Sequence, residues 1–220
     1  MSDNFDYIRS LYQNSFRLHG DAPSALLTPK GRNDLRFRAV LPHIKRDGTT
    51  LLDYGCGLGY LHNFLCRFGV NASYTGMDML PEFIDACRAK NLAATQFTQI
   101  DPHQPIAETY DVVFASGVFN LCTNSERNLS RAYAFERIEQ LFAAANDVLV
   151  CDFLSSYVDF AQADAQHFSL GEIADFCASR LSRRFMIHHD LLPYEFTLVA
   201  WRRASIRRPE NIFEVDLLTT

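Results

Sequence analysis

The sequence predicts an α/β fold, a mostly parallel sheet with helices on both faces. Three observations carry that reading. From about Thr49 onward, short apolar runs of period 2 alternate with amphipathic stretches of period 3.6. Strands alternating with helices form βαβ units, whose right-handed crossovers make neighbouring strands parallel. The last two apolar runs have only Asp190 to Tyr194 between them, and so short a connection forces an antiparallel pair.

The elements follow in order. Residues 1 to about 45 hold two expected helices, Phe5 to Asn14 and Gly31 to Ile44, joined by a loop that Gly20, Pro23 and Pro29 punctuate. Leu51 to Tyr54 is the first strand, Tyr60 to Phe68 a helix, Tyr74 to Asp78 the second strand and Phe83 to Ala89 a helix. Thr95 to Ile100 and Tyr110 to Ala115 are the third and fourth strands. A long helix from about Glu126 to Asn146 then sets Ala134, Ile138, Leu141, Phe142 and Ala145 on one face, ahead of a strand at Val148 to Phe153. Ser169 to Arg180 reads as a helix, and Phe185 to His189 and Glu195 to Trp201 as the closing pair.

A chain of 220 residues fits one domain. We divide it into a helical segment at 1–45, a core at 49–202 and a tail at 203–220. With 48% hydrophobic and 21% charged residues a core can form, and nothing reads as disordered or collagen-like. The formal charge of −5 supplies no general attraction for phosphate backbones or anionic lipid, so neither nucleic acid nor membrane is an expected partner. Arginines cluster at Arg202-Arg203 and Arg207-Arg208, which reads as a solvated tail. The six cysteines include no C-x-x-C pair and read as reduced thiols. Acids near the start and the lack of a long apolar run give a cytoplasmic address as the expectation.

The most informative segment is Leu51-Leu52-Asp53-Tyr54-Gly55-Cys56-Gly57-Leu58-Gly59-Tyr60, an apolar strand entering three glycines and then a helix. Glycines let the backbone turn sharply and let a ligand lie against the main chain near the N–H groups that open the helix. The dinucleotide fingerprint G-x-G-x-x-G would need glycine at 60, where Tyr60 stands. The spacing G-x-G-x-G, preceded two residues earlier by Asp53, resembles motif I of the class I S-adenosylmethionine-dependent methyltransferases. The second strand ends in Asp78 and the third in Ile100-Asp101. Tyr110 to Ser116 resembles the family's fourth motif, and the closing pair its reversed last strand. About residues 49 to 202 are covered. Taken singly, the glycines also read as a tight turn, Asp78 as a helix N-cap and Asp101 as a turn acid before Pro102.

The resemblance implies a Rossmann-like, doubly wound, mostly parallel seven-stranded sheet with an antiparallel last strand and N-terminal lid helices. It also implies S-adenosyl-L-methionine as cofactor, held by Asp53, Gly55, Gly57, Gly59, Asp78, Met79, Ile100, Asp101 and Ser116. The stretches from His19 to Pro23, Leu35 to Phe37, His189-Asp190 and Tyr194 to Thr197 resemble a subgroup of small bacterial methyltransferases. This chain has Thr28 and Asn33 where those sequences often carry Trp and Gln.

Methyl transfer is an in-line displacement that needs alignment, exclusion of water and, for a protonated acceptor, a base. Ligands in such sheets sit outside the carboxyl ends of the strands. That rule selects Asn120 and Asp152 after the fourth and fifth strands, and His189 after the sixth, as candidate catalytic groups. Asp152 also reads as a hydrogen-bonded strand-end acid, and His189 as a surface or core histidine. Tyr12, His19, Arg36, Phe119 and Tyr194 are candidate acceptor contacts. Arg36 is suited to hold a carboxylate of cofactor or acceptor with its two-pronged guanidinium. Tyr7, Tyr12 and Phe16 read equally as the buried stripe of a helix. No metal is expected, since adjacent strand residues such as His188 and His189 face opposite ways.

The expected activity is methyl transfer to a small-molecule acceptor, with oxygen, nitrogen, sulfur and carbon all open, by a monomer or homodimer. Two rivals stand beside it. A nicotinamide-dependent reductase of the short-chain type would need Tyr-x-x-x-Lys, and no tyrosine here has lysine four residues later. A methyltransferase-like partner protein without turnover would keep the same glycines. A P-loop nucleotidase is excluded by the lack of G-x-x-x-x-G-K.

Overall fold

The computed structural model describes residues 5–28, 32–45, 47–124, 126–202, 206–207 and 214–215. Helix α1 (Phe5–His19) and a 3₁₀ turn (Pro23–Leu26) lead to the short helix α2 (Arg32–Phe37). Then come β1 (Thr50–Tyr54), α3 (Tyr60–Arg67), β2 (Ser73–Asp78), α4 (Pro81–Ala89), β3 (Thr95–Gln99) and β4 (Tyr110–Ala115). Helix α5 (Arg127–Ala144) runs straight into β5 (Ala145–Ser155). It is followed by β6 (His167–Phe168), α6 (Leu170–Phe176), β7 (Phe185–Leu192) and β8 (Glu195–Trp201).

The sheet runs β3-β2-β1-β4-β5-β8-β7, with β6 pairing the end of β5. Pairing is parallel from β3 to β5, and β8 is antiparallel to both β5 and β7. The order reverses between β1 and β4, so the crevice for a ligand opens at the carboxyl ends of those two strands.

Alternation along each strand builds two cores. Leu52, Val113 and Leu149 face α5 through Ala134, Ile138 and Leu141. Leu51, Val112 and Val150 face the opposite layer, where Leu61, Phe64 and Ile84 pack. A third, smaller cluster of Ala25, Leu58, Leu80 and Phe83 takes Tyr12 and Phe16 of α1.

Three expected helices differ from the sequence reading, and the one expected to about Asn146 ends at Ala144, where Ala145 opens β5. Only Arg32–Phe37 of the 31–44 stretch is helical, because the chain tightens into i to i−3 bonds at Arg38, Ala39 and Val40 ahead of Pro42. The helix expected to Asn14 continues to His19. Helix α6 opens on Ser169, whose hydroxyl accepts the Glu172 N–H at 3.0 Å, and ends in a π turn over Cys177–Leu181. The 203–220 tail and Arg203 and Arg208 lie largely outside the described residues; Ile206–Arg207 and Glu214–Val215 pair antiparallel as β9 and β10. Among the described residues no helix is long and apolar enough to cross a membrane.

Candidate active site

The glycine turn after β1 is where the crevice is built. Gly55 and Gly57 adopt left-handed φ values of 75° and 53°. A side chain at either would also collide, a Cβ at Gly55 standing 2.6 Å from Val118 and one at Gly57 2.7 Å from Leu26. The turn is tied to β2, with the Gly55 and Cys56 N–H groups both donating to the Met77 carbonyl, at 2.7 and 2.9 Å. Asp78, at the end of β2, fixes it further. Its Oδ2 accepts the Gly57 N–H and its Oδ1 the Leu80 N–H, both at 2.9 Å.

Above this turn lies a cavity of about 310 Å³. Its floor is the glycine turn with Asp53, Asp78 and Met79; Ile100 and Pro102 close it on the β3 side, and Ser116, Gly117 and Asn120 on the β4 side. Phe5, Ile8 and Tyr12 of α1, with Leu26 and Thr28, roof it. The Tyr12 ring meets Phe83 edge-on at 6.2 Å, and Phe16 does the same at 5.5 Å.

Burial sets the electrostatics of the floor. It pushes the Asp53 carboxyl up to about 7, against the lowering effect of the Tyr74 hydroxyl that donates to it at 2.5 Å, with nearby Asp78 adding to the rise. Asp78 is likewise raised by burial, partly offset by the backbone N–H groups that it accepts. The Tyr12 phenol is raised to about 12 by burial and by the Asp78 charge.

A basic group stands at the other side. Arg36 forks onto Glu195 with Nε to Oε2 at 2.6 Å and Nη2 to Oε1 at 2.9 Å, and Arg32 reaches the same carboxylate at 3.2 Å. Arg32, Arg36 and Glu195 all line the cavity. The Asn120 side-chain oxygen is buried there without a hydrogen-bond partner among the described residues.

Of the residues expected from sequence, Asp53, Gly55, Gly57, Asp78, Met79, Ile100 and Ser116 line the cavity, as do Asn120, Tyr12 and Arg36. The others stand elsewhere, each for a visible reason. Gly59 is the N-cap of α3, beyond the turn. Asp101 is a turn acid whose Oδ1 accepts the His103 N–H at 2.9 Å. Asp152 does not line the cavity; it takes the Ser116 hydroxyl on Oδ2 and the Gly117 N–H on Oδ1, both in the loop after β4. Phe119 is core, stacked on Phe153 with centroids 5.6 Å apart. His19 is exposed at the end of α1, and Tyr194 is exposed in the β7–β8 turn, donating to Asp159 at 2.8 Å.

His189 does not line the cavity. Its Nε2 is 3.1 Å from the Pro193 carbonyl and its ring packs between Tyr157 and Phe196. Strand β7 is the sheet edge, separated from β4 by β8 and β5. It lies one strand beyond Glu195 of β8, which does line the cavity. The Arg36 fork, which the sequence offers to a ligand carboxylate, takes Glu195 of the chain itself as its bidentate partner.

Sequence reasoning missed Glu195, Arg32, Tyr54 and Tyr133, all on the cavity wall. Glu195 carried one usable signal, a lone acid at the head of the apolar run Phe196 to Trp201.

A family model described as a methyltransferase domain matches residues 45–178. The chain is 30% identical over 166 residues to a protein of Mycobacterium tuberculosis strain H37Rv whose name places it among methyltransferases, the match spanning 72% of this chain and 96% of that one. Human N-acetylserotonin methyltransferase in complex with S-adenosylmethionine superimposes with a TM-score of 0.66 at 13% identity, covering 91% of this chain and 59% of that one. The plantazolicin methyltransferase BpumL in complex with S-adenosylhomocysteine does so with a TM-score of 0.60 at 17% identity, covering 91% and 97%. At these identities the two structural likenesses speak for the fold.

Proposed function

The chain belongs to the S-adenosylmethionine-dependent methyltransferases, and from that premise we propose that it methylates a small-molecule acceptor inside the roofed cavity. The observation that carries the proposal is the roof itself. Phe5, Ile8 and Tyr12 of α1 line the same cavity as the glycine turn, which suits a molecule that can be enclosed better than a macromolecular surface. The net charge of −5 also speaks against a nucleic-acid acceptor.

The residues fit the cofactor. The cavity opens onto the backbone of Gly55 and Gly57, and the buried Asp78 carboxylate beside them offers acceptors to ribose hydroxyls. S-adenosylmethionine supplies an electrophilic methyl group on a sulfonium, open to displacement by a nucleophile. Asp53, Gly55, Gly57, Asp78, Met79, Ile100 and Ser116 would hold it. Asp152 would keep Ser116 and Gly117 in place through its two hydrogen bonds, and Tyr12 and Asn120 would touch the acceptor. With its phenol raised to about 12, Tyr12 stays protonated at neutral pH and acts as a donor, not a base.

In this reading residues 1–45 are the lid of a single domain, 49–202 its core and 203–220 a tail, and the protein works in the cytoplasm as a monomer or homodimer. The test is incubation of the protein and a cell extract with methyl-labelled cofactor, separation by size, and chromatography of the small-molecule fraction to resolve new products from unreacted cofactor, beside a control without the protein. A labelled small molecule other than the cofactor that appears only with the protein is expected; protein-dependent label confined to protein or RNA would overturn the acceptor class.

A further inference from the structure

Helix α5 buries an arginine that no part of the reaction has so far used. Arg137 is 3% exposed, and no described carboxylate pairs with it. Its Nη1 donates to the Gln104 carbonyl at 2.9 Å and its Nη2 to the Pro102 carbonyl, while its Nε is buried without a partner. The guanidinium carbon lies 5.8 Å from the Tyr54 ring centroid and 5.7 Å from that of Tyr133. Burying a cation against carbonyls and ring faces alone is costly, and an apolar side chain on this core-facing helix would cost less. Stability of the helix therefore does not account for it.

What Arg137 touches does. Tyr54, Tyr133 and Pro102 all line the cavity. Tyr133 donates to the same Pro102 carbonyl at 3.0 Å, so two donors hold one carbonyl of the turn that follows β3. That turn also seats the lid, since Phe5 packs edge-on against His103 and Tyr133, both with centroids at 5.1 Å. A nucleoside with its ribose on Asp78 and its other end over the β1–β4 crevice must direct its base toward β3, the next strand outward.

We propose that Arg137 is a positioning residue that fixes the wall receiving the adenine end of the cofactor, and with it the seat of the lid. The proposal rests on the cofactor reading above. Its planar fork spans the two carbonyls of Pro102 and Gln104, a geometry that the point charge of lysine does not reproduce.

The experiment is calorimetric binding of S-adenosylhomocysteine and of 5′-methylthioadenosine, which lacks the amino-acid end, to wild type, Arg137→Lys and Arg137→Met. Both variants are expected to bind both ligands at least about 10-fold more weakly, since charge-assisted hydrogen bonds set the wall. Unchanged affinity for S-adenosylhomocysteine in either folded variant would overturn the proposal. So would a loss for S-adenosylhomocysteine alone, which would put the effect at the amino-acid end, or failure of both variants to fold, which would make Arg137 framework only. Wild-type protein that binds neither ligand would instead overturn the cofactor reading, and this proposal with it.

Discussion

Arg36 and Glu195 close a buried ion pair across 159 residues of chain, with Nε to Oε2 at 2.6 Å and Nη2 to Oε1 at 2.9 Å. The pair fastens α2 to the head of β8, the reversed strand, and so ties the segment ahead of the sheet to its far half. Removing one partner of such a pair strands the other charge, at a cost of about 3 to 5 kcal/mol. Arg32, at 3.2 Å from the same carboxylate, moderates the loss. Arg36→Met is expected to lower stability in a urea melt, and the double variant Arg36→Met with Glu195→Leu to recover much of it. A double variant no better than the single one would show that the pair is not the unit that matters.

Asp78 has two tasks that the structure makes inseparable. Its oxygens hold the Gly57 and Leu80 N–H groups, and the same carboxylate is offered to the ribose. Asp78→Ala is expected to weaken S-adenosylhomocysteine binding by roughly 10²-fold or more, from charge-assisted hydrogen bonds of ~1.5 to 3 kcal/mol each. Asp78→Asn keeps one acceptor and is expected to lose less. Calorimetry on the folded alanine variant returning wild-type affinity would remove Asp78 from the site.

Burial of Asp53 is expected to make the ligand-free protein sensitive to pH. Its folded value of about 7 lies above the 3.8 of an unburied aspartate, chiefly because burial penalises the charge. The folded state then binds the extra proton, so the stabilising contribution is fully present below about pH 4 and is lost as pH rises through about 7. Burial of Asp78 and Asp152 acts in the same direction. The melting temperature of the ligand-free protein is therefore expected to fall between pH 5 and pH 8, and Asp53→Asn to flatten that slope while keeping an oxygen for the Tyr74 hydroxyl. A slope identical in the two proteins would assign the dependence to other groups.

Local pattern was enough for the strands and the glycine turn, because Leu51 and Leu52 face opposite cores and Gly55 and Gly57 take positive φ values that favour glycine whatever packs around them. It was not enough wherever strand order decides. The sequence pattern sets His189 and Asn120 alike at strand ends, yet Asn120 follows β4 at the crevice while His189 lies within β7 at the edge of the sheet. Asp78 and Asp101 share the same signature, yet Asp78 is buried on the cavity wall while Asp101 is exposed in the turn after β3, where it accepts the His103 N–H. Phe119 illustrates the same limit in packing, for its partner Phe153 lies on the neighbouring strand. The Arg36–Glu195 pair leaves no local trace, because its members meet only after α2 and β8 are in place.

The role of α1 is open to direct test by removing residues 1–20. The helix is held by one face. Phe5 and Ile8 are buried, Tyr12 and Phe16 meet Phe83, and Gln13 donates to Glu82 at 2.9 Å. The cluster that Tyr12 and Phe16 join is the small one of Ala25, Leu58, Leu80 and Phe83, distinct from the two cores on the faces of the sheet. Removing α1 therefore uncovers the roof of the cavity without opening either main core. The truncated protein is expected to melt cooperatively and to retain weakened S-adenosylhomocysteine binding, because the glycine turn and Asp78 remain while Phe5, Ile8 and Tyr12 no longer exclude water. Methyl transfer to the labelled acceptor is expected to be lost. Full transfer by the truncated protein would rule out a lid, and a protein that does not fold would place α1 in the core that holds the sheet together.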